Sequence, residues 1–324
     1  MITSAEPRTP PAPGRPVGGW ISAHLFHAGS LDALIEQVAA PLAAELRGEL
    51  AGFFFLRYWE GGPHLRLRMK PYDAADAGRI RRLIERRAGA FFAEHPSERA
   101  LHPRDYQALA TRLAGAEGRT AYDDRLHPND AVEFIDYLPE HRTYGDGACV
   151  AAVEEHFTDS SRLALDVLAA RPGQERRAAI GLAAFTLTVA ACLPDRRAAV
   201  RALALRIRGV RVPPEVEAAF RRDADGLLRQ TRMLWDQPAG GPLAAWSSSV
   251  RTLRDRLTGL GAAPADAESS AAFLARVLEP RATAVPYILL RCTHLLHNRL
   301  GIDTAAEGRL ALLALRVIAA LHES

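Results

Sequence analysis

The clearest alternation along the chain lies between Gly52 and Lys70. Phe53, Phe54, Phe55 and Leu56 lead into Arg57, Tyr58 and Trp59, and Glu60-Gly61-Gly62-Pro63 then breaks the run. In His64-Leu65-Arg66-Leu67-Arg68-Met69 polar and apolar residues alternate strictly. That period of two belongs to half-buried strands, so the stretch predicts two strands joined by a tight turn. The pleat sends His64, Arg66 and Arg68 to one face and Leu65, Leu67 and Met69 to the other. Three basic or imidazole side chains in a row make a site for an anion or a carbonyl. The alternative is a face that simply meets solvent.

Around this pair the pattern switches period several times. Trp20 to Phe26 reads as a first strand, and Ser30 as the N-cap of a helix carrying Leu31, Leu34, Ile35, Val38 and Leu42 at helical spacing. Residues 73–92 predict another helix with Ile80, Leu83, Ile84 and Phe91 inward; its arginines at 79, 81, 82, 86 and 87 read as a solvated face rather than a binding patch. Strand, helix, strand, strand, helix is an α+β layer of ferredoxin-like character. From 99 to 146 the chain is turn-rich, broken at His127-Pro128-Asn129-Asp130, with short strands expected at Thr120–Asp124 and Phe134–Tyr137. After Gly147 only helical periodicity remains, in segments near 147–170, 174–192, 195–208, 213–236, 243–260, 267–279, 284–300 and 304–322. The expected architecture is therefore α+β. A sheet-and-helix layer (18–146) packs on a mostly helical remainder (147–324) in one compact domain, after a disordered tail of 17 residues rich in Pro.

Composition narrows the function. With 324 residues, 48% hydrophobic and 24% charged, the chain can bury a sizeable core. A net charge of +3, from 41 basic and 38 acidic residues, is too mild to call for nucleic acid. Cys149, Cys192 and Cys292 fit neither a CxxC metal pattern nor a disulfide framework, so a reducing, cytoplasmic setting is expected. No apolar run reaches the roughly 18 residues a membrane helix needs, so no membrane partner is expected. Tyr144-Gly145-Asp146-Gly147 holds a GxG before a helix but lacks the third glycine of a dinucleotide fingerprint.

A second polar face lies near the C-terminus. On the helix from Pro286 to Leu300, closed by Gly301, Tyr287, Arg291, His294 and Asn298 share one narrow stripe while Leu289, Leu296 and Leu300 lie elsewhere. Such a stripe faces water or lines a cavity. Thr304-Ala-Ala-Glu307 reads as a capping box for the following helix.

Taken in order, these stretches resemble the C-terminal elimination domain of class I lanthipeptide dehydratases and its stand-alone relatives in thiopeptide biosynthesis. The tryptophan-led strand, the FFFLRY strand and PHLRLR come first. Tyr137-Leu-Pro-Glu140-His-Arg-Thr143-Tyr144-Gly145-Asp146 is similar to the family's YxPExxRYGG, and Phe157-Thr-Asp159-Ser160 to its FxxDS. His294-Leu-Leu-His297-Asn298-Arg299 is similar to the HMxxNR helix.

The resemblance implies a peptide-modifying enzyme that needs no cofactor and no metal. Its partner is a precursor peptide bound through leader and core, with a homodimer left open. It implies catalytic roles for Tyr287, His294, Arg66, Arg68, Tyr144 and Glu140, and peptide contacts from His64, Ser160, Asp159, Arg291 and Asn298. The Arg66/Arg68 face and the Tyr287/His294/Asn298 stripe are then expected at one cleft. The chain departs from the pattern where Thr143 replaces the arginine of RYGG and Asp146 its second glycine. A threonine cannot replace a guanidinium fork on a carboxylate.

Three readings follow. The first is a pyridine synthase joining two dehydroalanines in a formal [4+2] aza-cycloaddition, with loss of water and leader peptide. The second is a split glutamate-elimination lyase, and the third a non-catalytic peptide-binding scaffold.

Overall fold

The computed structural model describes residues 19–98, 102–116, 122–206, 212–236, 240–265, 270–281 and 283–321. The expected tail lies outside them, as do residues 120–121 of one expected strand. The fold is α+β, and the chain divides into two compact units, Met1–Leu138 and Pro139–Ser324.

In the first unit, β1 (Ile21–Phe26) leads into a helical run of α1 (Leu31–Leu34), a π turn (Ile35–Ala39) and α2 (Ala40–Glu45). The hairpin β2 (Leu50–Tyr58) and β3 (His64–Pro71) follows, then α3 (Ala77–Glu94), α4 (Pro103–Ala116) and β4 (Ala131–Phe134). The sheet is antiparallel with order β2-β3-β1-β4, the ferredoxin-like arrangement the alternation pointed to. Ser30 caps α1 as expected, accepting from the Ala33 amide at 3.2 Å. The apolar face of the sheet (Ala23, Leu25, Leu65, Leu67, Met69) is buried, as are Leu34, Ile35, Val38 and Leu42 of the first helical run and Ile80, Leu83, Ile84 and Phe91 of α3. The hairpin turn needs its glycines: Gly61 has φ +81°, and a Cβ there would come within 2.5 Å of the His127 ring.

Two local expectations shift. The last strand is Ala131–Phe134 rather than 134–137, and Tyr122–Asp124 is not strand. α4 sits in a region read as turn-rich; its inward residues are Tyr106 and the small Ala110 and Ala114, whose periodicity carries little hydrophobic signal.

The second unit is helical. After the turn α5 (His141–Tyr144) come α6 (Gly147–Ala169), α7 (Gln174–Cys192), α8 (Arg196–Arg206), α9 (Pro214–Arg222), α10 (Ala224–Asp236), α11 (Pro242–Gly259), α12 (Ser270–Leu278), α13 (Ala284–Leu300) and α14 (Thr304–Ala320). The expected helix 213–236 is broken at Asp223, which leaves helical dihedrals at φ −144° while its carbonyl accepts the first bond of α10 from Leu227. A residue in that position caps a new helix instead of continuing the old one. α7 packs against α10, α11, α13 and α14, and its alanines and threonines let those helices approach. Among the described residues no single helix is long and apolar enough to cross a membrane; α7 and α8 pass together only as a pair bent by 106°.

Candidate active site

The first polar face belongs to the sheet. Register places His24 opposite Arg66 and Ser22 opposite Arg68, with Leu56, Phe54 and Tyr58 across β2, so β1 and β3 present one continuous surface. It is not a solvated face. Ser22, His24, His64 and Arg68 are buried, and the His24 and His64 rings stack at 4.9 Å. Burial, with the neighbouring imidazole and guanidinium groups, pushes His24 down to about 2 and His64 to about 3, so both rings are neutral at ordinary pH. His64 Nδ1 lies 2.8 Å from the Gly62 carbonyl and donates to it, leaving Nε2 to accept from Arg66 Nε at 3.3 Å.

Arg66 is already engaged. Its guanidinium lies 3.4 Å above the Tyr58 ring and 3.2 Å from Glu60, a hairpin-turn residue whose role the alternation pattern did not reveal. Arg68 lies over the Phe54 and Tyr137 rings at 5.5 and 4.9 Å. The α3 arginines do form a mostly exposed face; Arg79 pairs with Glu49 and Asp76, and Arg87 with Glu45.

The second polar face belongs to α13, closed at Gly301 with φ +72°. Tyr287 is buried, and Arg291, His294 and Asn298 are half-buried, which puts the expected stripe at the edge of the core. Burial works against the Arg291 charge, but Tyr144, Glu140 and Tyr287 around it outweigh that and raise its pKa. Tyr144, Glu140 and Tyr287 thus lie within electrostatic reach of Arg291 inside this unit, although the Glu140 side chain is exposed. Tyr144 is buried edge-on to Phe157 at 5.7 Å.

The sequence reading missed a core beneath the stripe. Arg299 is fully buried, donates to Ser160 Oγ at 3.1 Å, lies 5.3 Å from the Phe157 ring, and is pushed down to about 10 by burial. Ser160 therefore points inward. Asp159, one position before it on α6, points the other way and is exposed, taking a 2.9 Å hydrogen bond from Ser249 in a groove of about 430 Å³ between α6 and α11. The structure does not bring these two neighbours together, because adjacent helical residues diverge by 100°.

The region of the family's RYGG motif folds as a helical turn. Thr143 is buried and Arg142 is exposed. Asp146, in place of the second glycine, caps α6 by accepting from the Ala148 and Cys149 amides, both at 3.0 Å.

Burial raises the thiols of all three cysteines, those of Cys192 and Cys292 to about 12, so neither of those two is a thiolate at neutral pH. Among the described residues no group of three or more His, Cys, Asp or Glu could hold a metal ion.

The family model of the lantibiotic biosynthesis dehydratase C-terminal region matches residues 20–318. The chain belongs to that family. None of the curated proteins matches it. Among solved structures, the family fold is shared with the pyridine synthase TbtD from thiomuracin biosynthesis at TM-score 0.72 and 20% identity, covering 94% of this chain and 99% of that one. TsrL follows at TM-score 0.62 and 18% identity, covering 94% and 96%. The tRNA-dependent lantibiotic dehydratase MibB from Microbispora sp. 107891 matches at TM-score 0.55 and 16% identity, over 96% of this chain and 28% of that one. This dehydratase C-terminal family member thus spans nearly the whole of the two smaller proteins and about a quarter of the larger.

Proposed function

We propose that this protein is a thiopeptide-type pyridine synthase acting on a dehydrated precursor peptide. The observation that carries the reading is the altered carboxylate-handling set. Arg66 is paired with Glu60, and a buried Thr143 stands where the family motif has arginine. An enzyme that grips a glutamyl carboxylate needs open guanidinium forks. A cyclase does not, because it has to fold a peptide so that two alkenes meet, which is catalysis by proximity and orientation.

In this reaction one dehydroalanine, with the iminol tautomer of a backbone amide, supplies the azadiene, and a second dehydroalanine supplies the two-carbon partner. Two bonds form, and the ring then loses water and the leader peptide as its amide, which yields a pyridine with no net oxidation. Tyr287 and His294 are the proposed acid–base residues for the two eliminations, with Tyr144, Glu140, Arg291 and Asn298 placing the peptide beside them. Arg66 and Arg68 contribute donors to the peptide, His64 and Ser160 hold Arg66 and Arg299 in place, and Asp159 serves a part of the peptide away from the reacting atoms.

Retention of Arg66 and Arg68 favours a second reading, the elimination of glutamate from glutamylated Ser or Thr. Mass spectrometry of purified protein with two peptides separates them. A dehydrated leader-bearing peptide converted to a macrocycle plus leader amide supports the cyclase. Conversion of a glutamylated peptide to dehydroalanine overturns it, and leader binding with no mass change supports a scaffold.

A further inference from the structure

Glu307 reads in the sequence as the third residue of a capping box, but its side chain does not cap. The N-cap of α14 is Asp303, which accepts from the Ala306 amide at 2.8 Å, and Glu307 joins the cap only through its backbone amide on Asp303 O at 2.9 Å. Its carboxylate turns to α13. One oxygen lies 2.7 Å from His294 Nδ1 and the other 3.5 Å from His297 Nδ1. His297 is wholly buried and held on its far side, where Nε2 donates to the Gly181 carbonyl of α7 at 3.1 Å.

A half-buried carboxylate shared by two imidazoles could serve merely to staple two helices. Three observations argue for more. The His294 side chain is 34% exposed while His297 is 0%, so only one of the two rings can meet a peptide. A carboxylate on Nδ1 fixes the Nδ1–H tautomer and leaves Nε2 with its lone pair. The second carboxylate oxygen faces the wholly buried His297 ring, so the position of the carboxylate does not depend on solvent.

We propose that Glu307 is a positioning residue, holding the His294 ring with Nδ1 turned inward and presenting Nε2 as the atom that exchanges a proton with the peptide. This rests on the reading of His294 as an acid–base residue. The buried His297 ring, anchored to the Gly181 carbonyl, packs behind it.

Nitrogen-15 NMR of the histidine rings in the free protein tests the geometry without substrate. The wild type should show His294 as a single Nδ1–H tautomer. E307L should swing it to Nε2–H, and E307Q, which keeps an acceptor oxygen, should retain most of the Nδ1–H form. With a leader-bearing peptide containing two dehydroalanines, E307L should lower kcat by about 10²-fold with little change in KM, as expected for a misplaced group. E307Q should lose less, which also covers the case where E307L folds poorly. In an H294Q background E307L should cost nothing further in kcat.

An Nε2–H tautomer in the wild type overturns the proposal, as does an equal loss from E307L with and without His294. If H294Q retains full rate while the tautomer responds as stated, positioning stands and the acid–base reading of His294 falls.

Discussion

At His294 one carboxylate, thirteen residues away in sequence, decides which ring nitrogen faces outward. The prediction at this scale concerns rate. His294→Gln and Tyr287→Phe should each lower kcat by about 10²–10⁴-fold, the range of general acid–base catalysis, while far-UV circular dichroism stays unchanged. A fully active pair of variants would remove the stripe from the mechanism. A second prediction tests the support: a Cβ on Gly181 would lie 2.7 Å from Ile302 Cδ1 and 3.1 Å from the His297 ring. Gly181→Ala should therefore destabilise the protein by about 1–3 kcal/mol, the usual cost of overpacking, read as a lower denaturant midpoint. The stripe itself was legible, because a polar residue every third or fourth position on an apolar helix stands out. Glu60, Arg299 and His297 were not. Glu60 sits in a turn with no periodicity, and the other two are polar residues wholly enclosed by partners from other elements, which no local pattern announces.

Elements were legible wherever a hydrophobic period ran uninterrupted. The hairpin, α3, α6, α7, α11 and α13 lie close to their expected bounds, since alternation and helical spacing report directly which face is buried. Helix ends were read less well. Thr304-Ala-Ala-Glu307 has the spelling of a capping box, yet Asp303 does the capping and Glu307 is drawn away by two imidazoles. Propensity gave way there to a tertiary hydrogen bond. The consequence is measurable: Asp303→Ala should cost about 1 kcal/mol in urea unfolding, and Thr304→Ala close to nothing. The reverse order would restore the sequence reading of that cap.

On the scale of the whole molecule, buried histidines set the acid limit. His24 is lowered to about 2, and His64 and His156 to about 3, chiefly by burial. Below the ordinary imidazole value of 6.5 the unfolded chain binds protons that the folded chain refuses. Stability is thus complete above 6.5 and declines as pH falls toward the folded values, by about 1.4 kcal/mol per pH unit for each ring. Glu307, lowered from 4.5 to about 2 against its own burial by the His294 and His297 rings beside it, adds its loss only below 4.5. The urea midpoint should fall steeply between pH 6 and 4, and a flat midpoint there would contradict the neutral-ring geometry. Burial has a different meaning for the sulfur atoms. On the proposed reading the substrate carries alkenes conjugated to carbonyls, which trap thiolates by conjugate addition. A catalyst that concentrates such electrophiles risks becoming their target. With Cys192 and Cys292 near 12, their thiolate fraction at neutral pH is vanishingly small, and Cys149 is buried and raised as well. The protein can then hold a reactive peptide through many turnovers without labelling itself, and its intact mass should remain unchanged throughout the reaction.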